Sequence, residues 1–138
     1  SSFFPYWVEG PHRMGPALGD GFSPGMLAEY VVLPESGVVP MAATLDFAEA
    51  ACMPCAGVTA WNALYEGPRA LLPGNRVLVL GTGGVSTIAL QLARAGGCEV
   101  FATSSSDAKL EQVRALGAAQ TVNYTESPDD RGWLGVMT

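Results

Sequence analysis

The clearest alternation of hydrophobic and polar positions lies over residues 75–124. Residues 76–80 (RVLVL) form a short apolar run with branched side chains, bounded by Pro73-Gly74-Asn75, which predicts a strand buried in a parallel sheet. The glycine turn Gly81-Thr82-Gly83-Gly84 follows at once, and Val85, Ile88, Ala89, Leu92 and Ala93 then recur at helical spacing until Gly96-Gly97. Residues 99–103 (EVFAT) predict a second strand, and Ser104-Ser105-Ser106-Asp107 a cap for a second helix. That helix buries Leu110, Val113 and Leu116 and ends at Gly117, and residues 120–124 (QTVNY) predict a third strand. Strand, helix, strand, helix, strand with short loops implies a right-handed parallel α/β unit. After Tyr124 the pattern decays into Pro128-Asp129-Asp130-Arg131-Gly132, and no further helix–strand unit is built.

Upstream the pattern is weaker. Residues 1–26 are rich in Gly, Pro and aromatics without a period, and predict irregular loop. Residues 26–34 (MLAEYVVLP) predict a strand stopped by Pro34, and Val38-Val39 a short extended piece. Asp46-Phe47-Ala48-Glu49 has the spacing of a capping box, in which each side chain reaches the other residue's backbone N–H, so a short helix is expected. Pro54 is expected to break it and to open another, with Val58, Trp61, Leu64 and Tyr65 on its buried face and Gly67-Pro68 at its end.

Composition narrows the function classes. Half of the 138 residues are hydrophobic and only 14% are charged, which excludes general disorder and leaves enough chain for a core. So apolar a chain implies a surface held against a partner, and a homo-oligomer is expected. The net charge of −6, with no cluster of Lys or Arg, argues against nucleic acid and anionic membrane as partners. No apolar run is long enough to span a membrane, the start of the chain does not resemble a signal peptide, and three cysteines do not make a disulfide framework. A cytoplasmic setting follows as the expectation.

The glycine turn carries the chemistry. A strand running into Gly81-x-Gly83 and then a helix builds a dinucleotide-phosphate site. The first glycine allows the tight turn, the second lets backbone approach the pyrophosphate, and the helix start offers N–H groups and partial positive charge. Ser86 stands where a third glycine is usual, and is small enough for the helix to pack closely on the sheet. At the end of the second strand a carboxylate would bind the ribose diol of NAD. The residues there are Thr103-Ser104-Ser105-Ser106, with Asp107 and Lys109 further on, so NADP(H) is favoured over NAD(H). The same serines could instead serve only as a helix cap.

Residues 54–64 (PCAGVTAWNAL), 72–79 (LPGNRVLV) and 81–86 (GTGGVS) resemble the medium-chain dehydrogenase/reductases, in the alcohol-dehydrogenase-like and quinone-reductase-like branches. The likeness extends over 104–110 (SSSDAKL) and Val122-Asn123-Tyr124, and covers roughly residues 1–128. It implies a partial Rossmann-like parallel sheet, the first half of a doubly wound α/β fold, over residues 41–138. Residues 1–40 would be a loop-rich remnant of the family's GroES-like catalytic domain, and the chain would be shortened at both ends. The resemblance also implies that Thr59 lies beside the nicotinamide, that Gly83, Gly84 and Val85 hold the pyrophosphate, and that Ser104, Ser105, Lys109 and Tyr124 surround the adenosine ribose and its phosphate; Gly81, Thr82 and Ser86 of the turn are counted with them as cofactor-binding.

Other signals carry less. Cys52-Met53-Pro54-Cys55 superficially suggests a redox dithiol or half a zinc site, but only Cys98 and His12 remain as ligands of that kind, so core cysteines and no zinc are expected. His12, the single histidine, is the one candidate for a neutral-pH general acid or base, set against a plain loop histidine. Phe3, Phe4, Tyr6 and Trp7 could line an apolar substrate pocket or serve as core anchors. The expected function is hydride transfer with a small, apolar carbonyl, alcohol or activated alkene. The rivals are a nicotinamide-independent cyclase, isomerase or dehydratase on the same scaffold, and a non-catalytic binding or assembly module.

Overall fold

The computed structural model describes residues 18–19 and 24–126, and the chain divides into two compact units, residues 1–51 and 52–138. His12, Phe3, Phe4, Tyr6 and Trp7 lie outside the described residues.

In the first unit the expected strand over residues 26–34 is absent, and the backbone there runs through bends and stretches without regular structure. Strand propensity needs a neighbouring ladder to satisfy it. Among the described residues none is paired with this segment, and Leu27, Tyr30 and Val32 are fully or almost fully exposed. A single 3₁₀ turn, Glu35–Gly37, follows, and Val38 is extended as expected. The capping box forms as read. Asp46 N–H donates to Glu49 Oε2 at 3.0 Å, Glu49 N–H donates to Asp46 Oδ1 at 2.7 Å, and helix α1 (Phe47–Cys52) starts there.

Pro54 does not end this helix. The backbone widens into a π-helical segment, Met53–Gly57, continues as α2 (Val58–Trp61), and widens again over Asn62–Glu66. Pro54 sits at the start of the first wide segment, where its missing N–H and its ring cost least. The buried face also differs from expectation. Gly57, Ala60 and Leu64 are buried, whereas Val58 and Trp61 are 62% and 50% exposed. Small residues win this seam because they let α2 approach the next helix closely. At the far end Tyr65 OH donates to Leu92 O at 3.1 Å, and Gly67 leaves the helix in extended conformation.

The second unit is built on a parallel sheet in the order β1-β2-β3, with β1 at Arg76–Leu80, β2 at Glu99–Ser104 and β3 at Gln120–Asn123. Helices α3 (Gly84–Ala95) and α4 (Asp107–Ala115) connect the strands. The core joins Val79, Val100 and Ala102 of the sheet to Leu90, Ala93, Leu110 and Val113 of these helices, and takes in Ala60 and Leu64. β2 has a neighbour on each side and is buried from Val100 to Ser104. β1, expected to be buried throughout, buries only Val79, because it stands at an edge among the described residues. Its exposed pair Arg76–Glu99, 3.2 Å apart, adds little stability. Leu116 is only partly buried, and β3 stops one residue before Tyr124.

Both crossover helices end in a Schellman pattern, in which the residue after the glycine bonds back to the turn. Cys98 N–H donates to Ala93 O, Gly97 N–H to Arg94 O, Ala118 N–H to Val113 O and Gly117 N–H to Arg114 O. Gly117 has φ +104°, and Arg94 crosses over it to donate to Leu116 O at 3.3 Å. A side chain at Gly117 would lie 2.4 Å from Arg94 Cδ. A cation over the last carbonyls of α4 complements that helix end.

Candidate functional site

The site is assembled where β1 and β2 end and α3 begins. Leu80 pairs with Thr103, so the two strands finish side by side. Gly81 follows with φ +82°, a conformation that L side chains adopt at a cost, and its N–H donates to Thr103 Oγ1 at 3.3 Å. Thr103 is buried, and this bond ties the turn to the central strand. The sequence marked Thr103 as a strand end among hydroxyls that favour NADP(H), not as a support of the glycine turn. The available signal was a hydroxyl in register with the last residue of β1.

Gly83 is the N-cap of α3 and gives it no side-chain cap. The two hydroxyls that follow face carbonyls instead. Ser86 Oγ donates to Leu80 O at 3.0 Å, and Thr87 Oγ1 lies 3.1 Å from Gly83 O and from Gly84 O. Ser86 therefore anchors the helix to β1, a firmer role than small size alone. With no side-chain cap on its first N–H groups, the start of this 12-residue helix is suited to an anion. A Cβ built on Gly81 or Gly83 meets nothing within 4 Å, so their backbone faces open space. A Cβ built on the next glycine, Gly84, would lie 3.9 Å from Ala56 Cβ in the Met53–Gly57 segment. Thr82 is partly buried, and Val85 is 42% exposed.

An open cleft of about 440 Å³ adjoins the turn and is lined by Leu80, Gly81, Thr103 and Tyr124. Tyr124 is half exposed, and its N–H donates to Ser104 O at 3.1 Å. Ser104 is buried, and its hydroxyl accepts from Ser106 N–H at 3.2 Å. Ser106 is the N-cap of α4, but its own hydroxyl makes no capping bond there. Ser105 and Lys109 are exposed on the loop and the first turn of α4. Thr59 is exposed on α2, one turn beyond Ala56, and its hydroxyl donates to Cys55 O at 2.7 Å. The structure thus brings Gly81, Thr103 and Tyr124 to one cleft, with Ser104 bonded to its wall.

Cys52 and Cys55 are exposed and Cys98 is partly buried, so the expectation of core cysteines fails for the first two. Among the described residues no three His, Cys, Asp or Glu side chains are grouped as metal ligands, and no helix is long and apolar enough to cross a membrane. A larger cleft of about 510 Å³, lined by Gln91, Arg94, Ala95, Ala115 and Leu116, lies at the opposite end of α3 and contains none of the candidate residues.

Residues 84–138 match a protein-family model described as a zinc-binding dehydrogenase. A zinc-type alcohol dehydrogenase-like protein of Schizosaccharomyces pombe is 52% identical over 113 residues, which cover 81% of this chain and 32% of that protein. A candidate alcohol dehydrogenase of Sinorhizobium meliloti superposes with a TM-score of 0.83 at 46% identity, covering 99% of this chain and 40% of that one. The quinone oxidoreductase of Thermus thermophilus, solved alone and with NADPH, superposes with a TM-score of 0.67 at 37% identity, covering 82% of this chain and 38% of that one. The chain spans about a third of the length of the curated relatives it matches. Its parallel β1-β2-β3 sheet, its open glycine turn and these likenesses together make it a member of the medium-chain dehydrogenase/reductase superfamily.

Proposed function

We propose that this chain is the nucleotide-binding part of an oxidoreductase that moves a hydride between a nicotinamide cofactor and a small carbonyl, alcohol or activated alkene. NADP(H) is the preferred cofactor. The observation that carries the reading is the open backbone at Gly81 and Gly83, beside a cleft and at the start of an uncapped helix. A pyrophosphate fits there because no side chain fills the cradle and the N–H groups of Gly83, Gly84 and Val85 begin the helix. Support for a 2′-phosphate comes from the end of β2, which carries no carboxylate before Asp107, and from the exposed Ser105 and Lys109 beyond it.

Each residue then has a bounded task. The glycine turn holds the pyrophosphate, and Thr103 fixes the turn to β2. Ser104 shapes the loop that presents Ser105, since its hydroxyl receives Ser106 N–H. Tyr124 closes one wall of the cleft, and the family resemblance assigns Thr59 to the nicotinamide. The nicotinamide, when bound, supplies the hydride, while these residues bind and orient it. The described residues do not by themselves build a zinc site. Calorimetric titration with NADPH and NADH is the test. Saturable binding with NADPH ahead supports the reading, and a folded chain that binds neither refutes it.

A further inference from the structure

At the same end of the sheet lies a hydrogen-bonded chain that the roles above leave unused. Asp107 opens α4, and its Oδ1 accepts from Asn123 Nδ2 at 2.8 Å. Asn123 ends β3, in register with Ser104 of β2. The other end of the same amide is also engaged, since Asn123 Oδ1 accepts from Thr125 N–H at 3.1 Å and from Thr125 Oγ1 at 2.7 Å. Two donors on the oxygen fix which way the amide faces, so its NH₂ group is the one offered to Asp107. Tyr124, the residue between Asn123 and Thr125, lines the cleft beside Gly81.

Helix stability alone does not ask for this arrangement. An acid in the first turn of α4 is favourable with or without a partner on a strand. Cofactor choice does ask for it. Asp107 is the first carboxylate after β2, in the region that contacts the adenosine ribose in this kind of fold. Free to turn toward the ribose, it would accept from the 2′-hydroxyl of NAD and repel a 2′-phosphate. Held on Asn123 through Oδ1, the carboxylate is kept against β3 and both effects are weakened.

We infer that Asn123, oriented by Thr125, is a positioning residue for cofactor choice: it holds the Asp107 carboxylate against β3 and so favours NADP(H). The inference rests on the function proposed above. The test is the ratio of NADPH to NADH affinity, read by fluorescence titration at low and high salt, for the parent chain and Asn123→Ala, Thr125→Val, Asp107→Asn and the Asn123→Ala/Asp107→Asn pair. Asn123→Ala should lower the ratio roughly threefold to tenfold, the effect of one partly screened charge, and the loss should shrink at high salt. Thr125→Val should act in the same direction but less. Adding Asp107→Asn to Asn123→Ala should restore the ratio, which a purely structural role for Asn123 would not produce. Should Asn123→Ala fail to fold by circular dichroism, Thr125→Val decides, because it leaves the strand residue in place. A parent that prefers NADPH while both variants keep its ratio overturns this inference alone. A folded parent that binds neither nucleotide overturns the proposed function and this inference with it.

Discussion

Gly83 allows ligand binding to be separated from folding. Its backbone, at φ −81° and ψ 179°, is one that any residue adopts, and an added Cβ meets nothing within 4 Å. Gly83→Ala therefore places a methyl group in open space. Alanine is a poorer N-cap than glycine, which costs about 0.5–1 kcal/mol. A stiffer unfolded chain returns about 0.4–1 kcal/mol. The net is near zero, so the melting temperature should move by no more than about 4 °C. A phosphate on the turn would meet that methyl and retreat from the helix N–H groups. Losing one charge-assisted hydrogen bond costs about 1.5–3 kcal/mol, or roughly 10- to 100-fold in Kd. The assay is calorimetric titration with NADPH beside differential scanning calorimetry. Parent-like affinity in a stable Gly83→Ala chain would refute the placement of the pyrophosphate on this turn. Gly81→Ala is the contrast: φ is +82° there, so strain of about 1–2 kcal/mol should lower the melting temperature even without nucleotide.

Other substitutions test the supports of the site. Thr103→Val removes the acceptor for Gly81 N–H, and urea unfolding should show a loss of about 1–2 kcal/mol together with weaker NADPH binding. Gly117→Ala forces a side chain toward Arg94 at φ +104°, and should cost more than about 1–2 kcal/mol in the same assay, with part of the loss recovered when Arg94→Ala is added. Asp46→Ala deletes half of the capping box, and should lower stability by about 1 kcal/mol and reduce helical circular dichroism while leaving nucleotide affinity unchanged. Leu110→Ala, at a fully buried position, should cost about 2–5 kcal/mol in thermal or urea unfolding.

Much of the α/β unit was legible because its signals are local. The run from Arg76 to Leu80, the helical spacing after Gly84, the serines before Asp107 and the glycines at 97 and 117 each state their structure within a few residues. The capping box at Asp46 and Glu49 was legible for the same reason. What failed depended on distant partners. Residues 26–34 have strand composition but no ladder. The buried face of α2 was misread because the seam selects Gly57 and Ala60 for closeness over Val58 and Trp61 for bulk. β1 reads as buried, yet among the described residues it has a neighbour on one side only. In the site, the glycine turn announced itself, whereas Thr103 and the Asn123–Asp107 pair gain meaning only through the strand register.

The parallel sheet has a practical consequence for redesign. Among the described residues, the loops that follow the strands lie at one end of the sheet and the loops that lead from α3 and α4 into β2 and β3 lie at the other. Gly81, Ser105 and Tyr124 share the first end, while Gly97, Gly117 and the Arg94 crossing share the second. Heat tolerance can accordingly be improved by substitutions at the second end with little effect on nucleotide preference, whereas at the first end Gly81 and Thr103 serve folding and binding together.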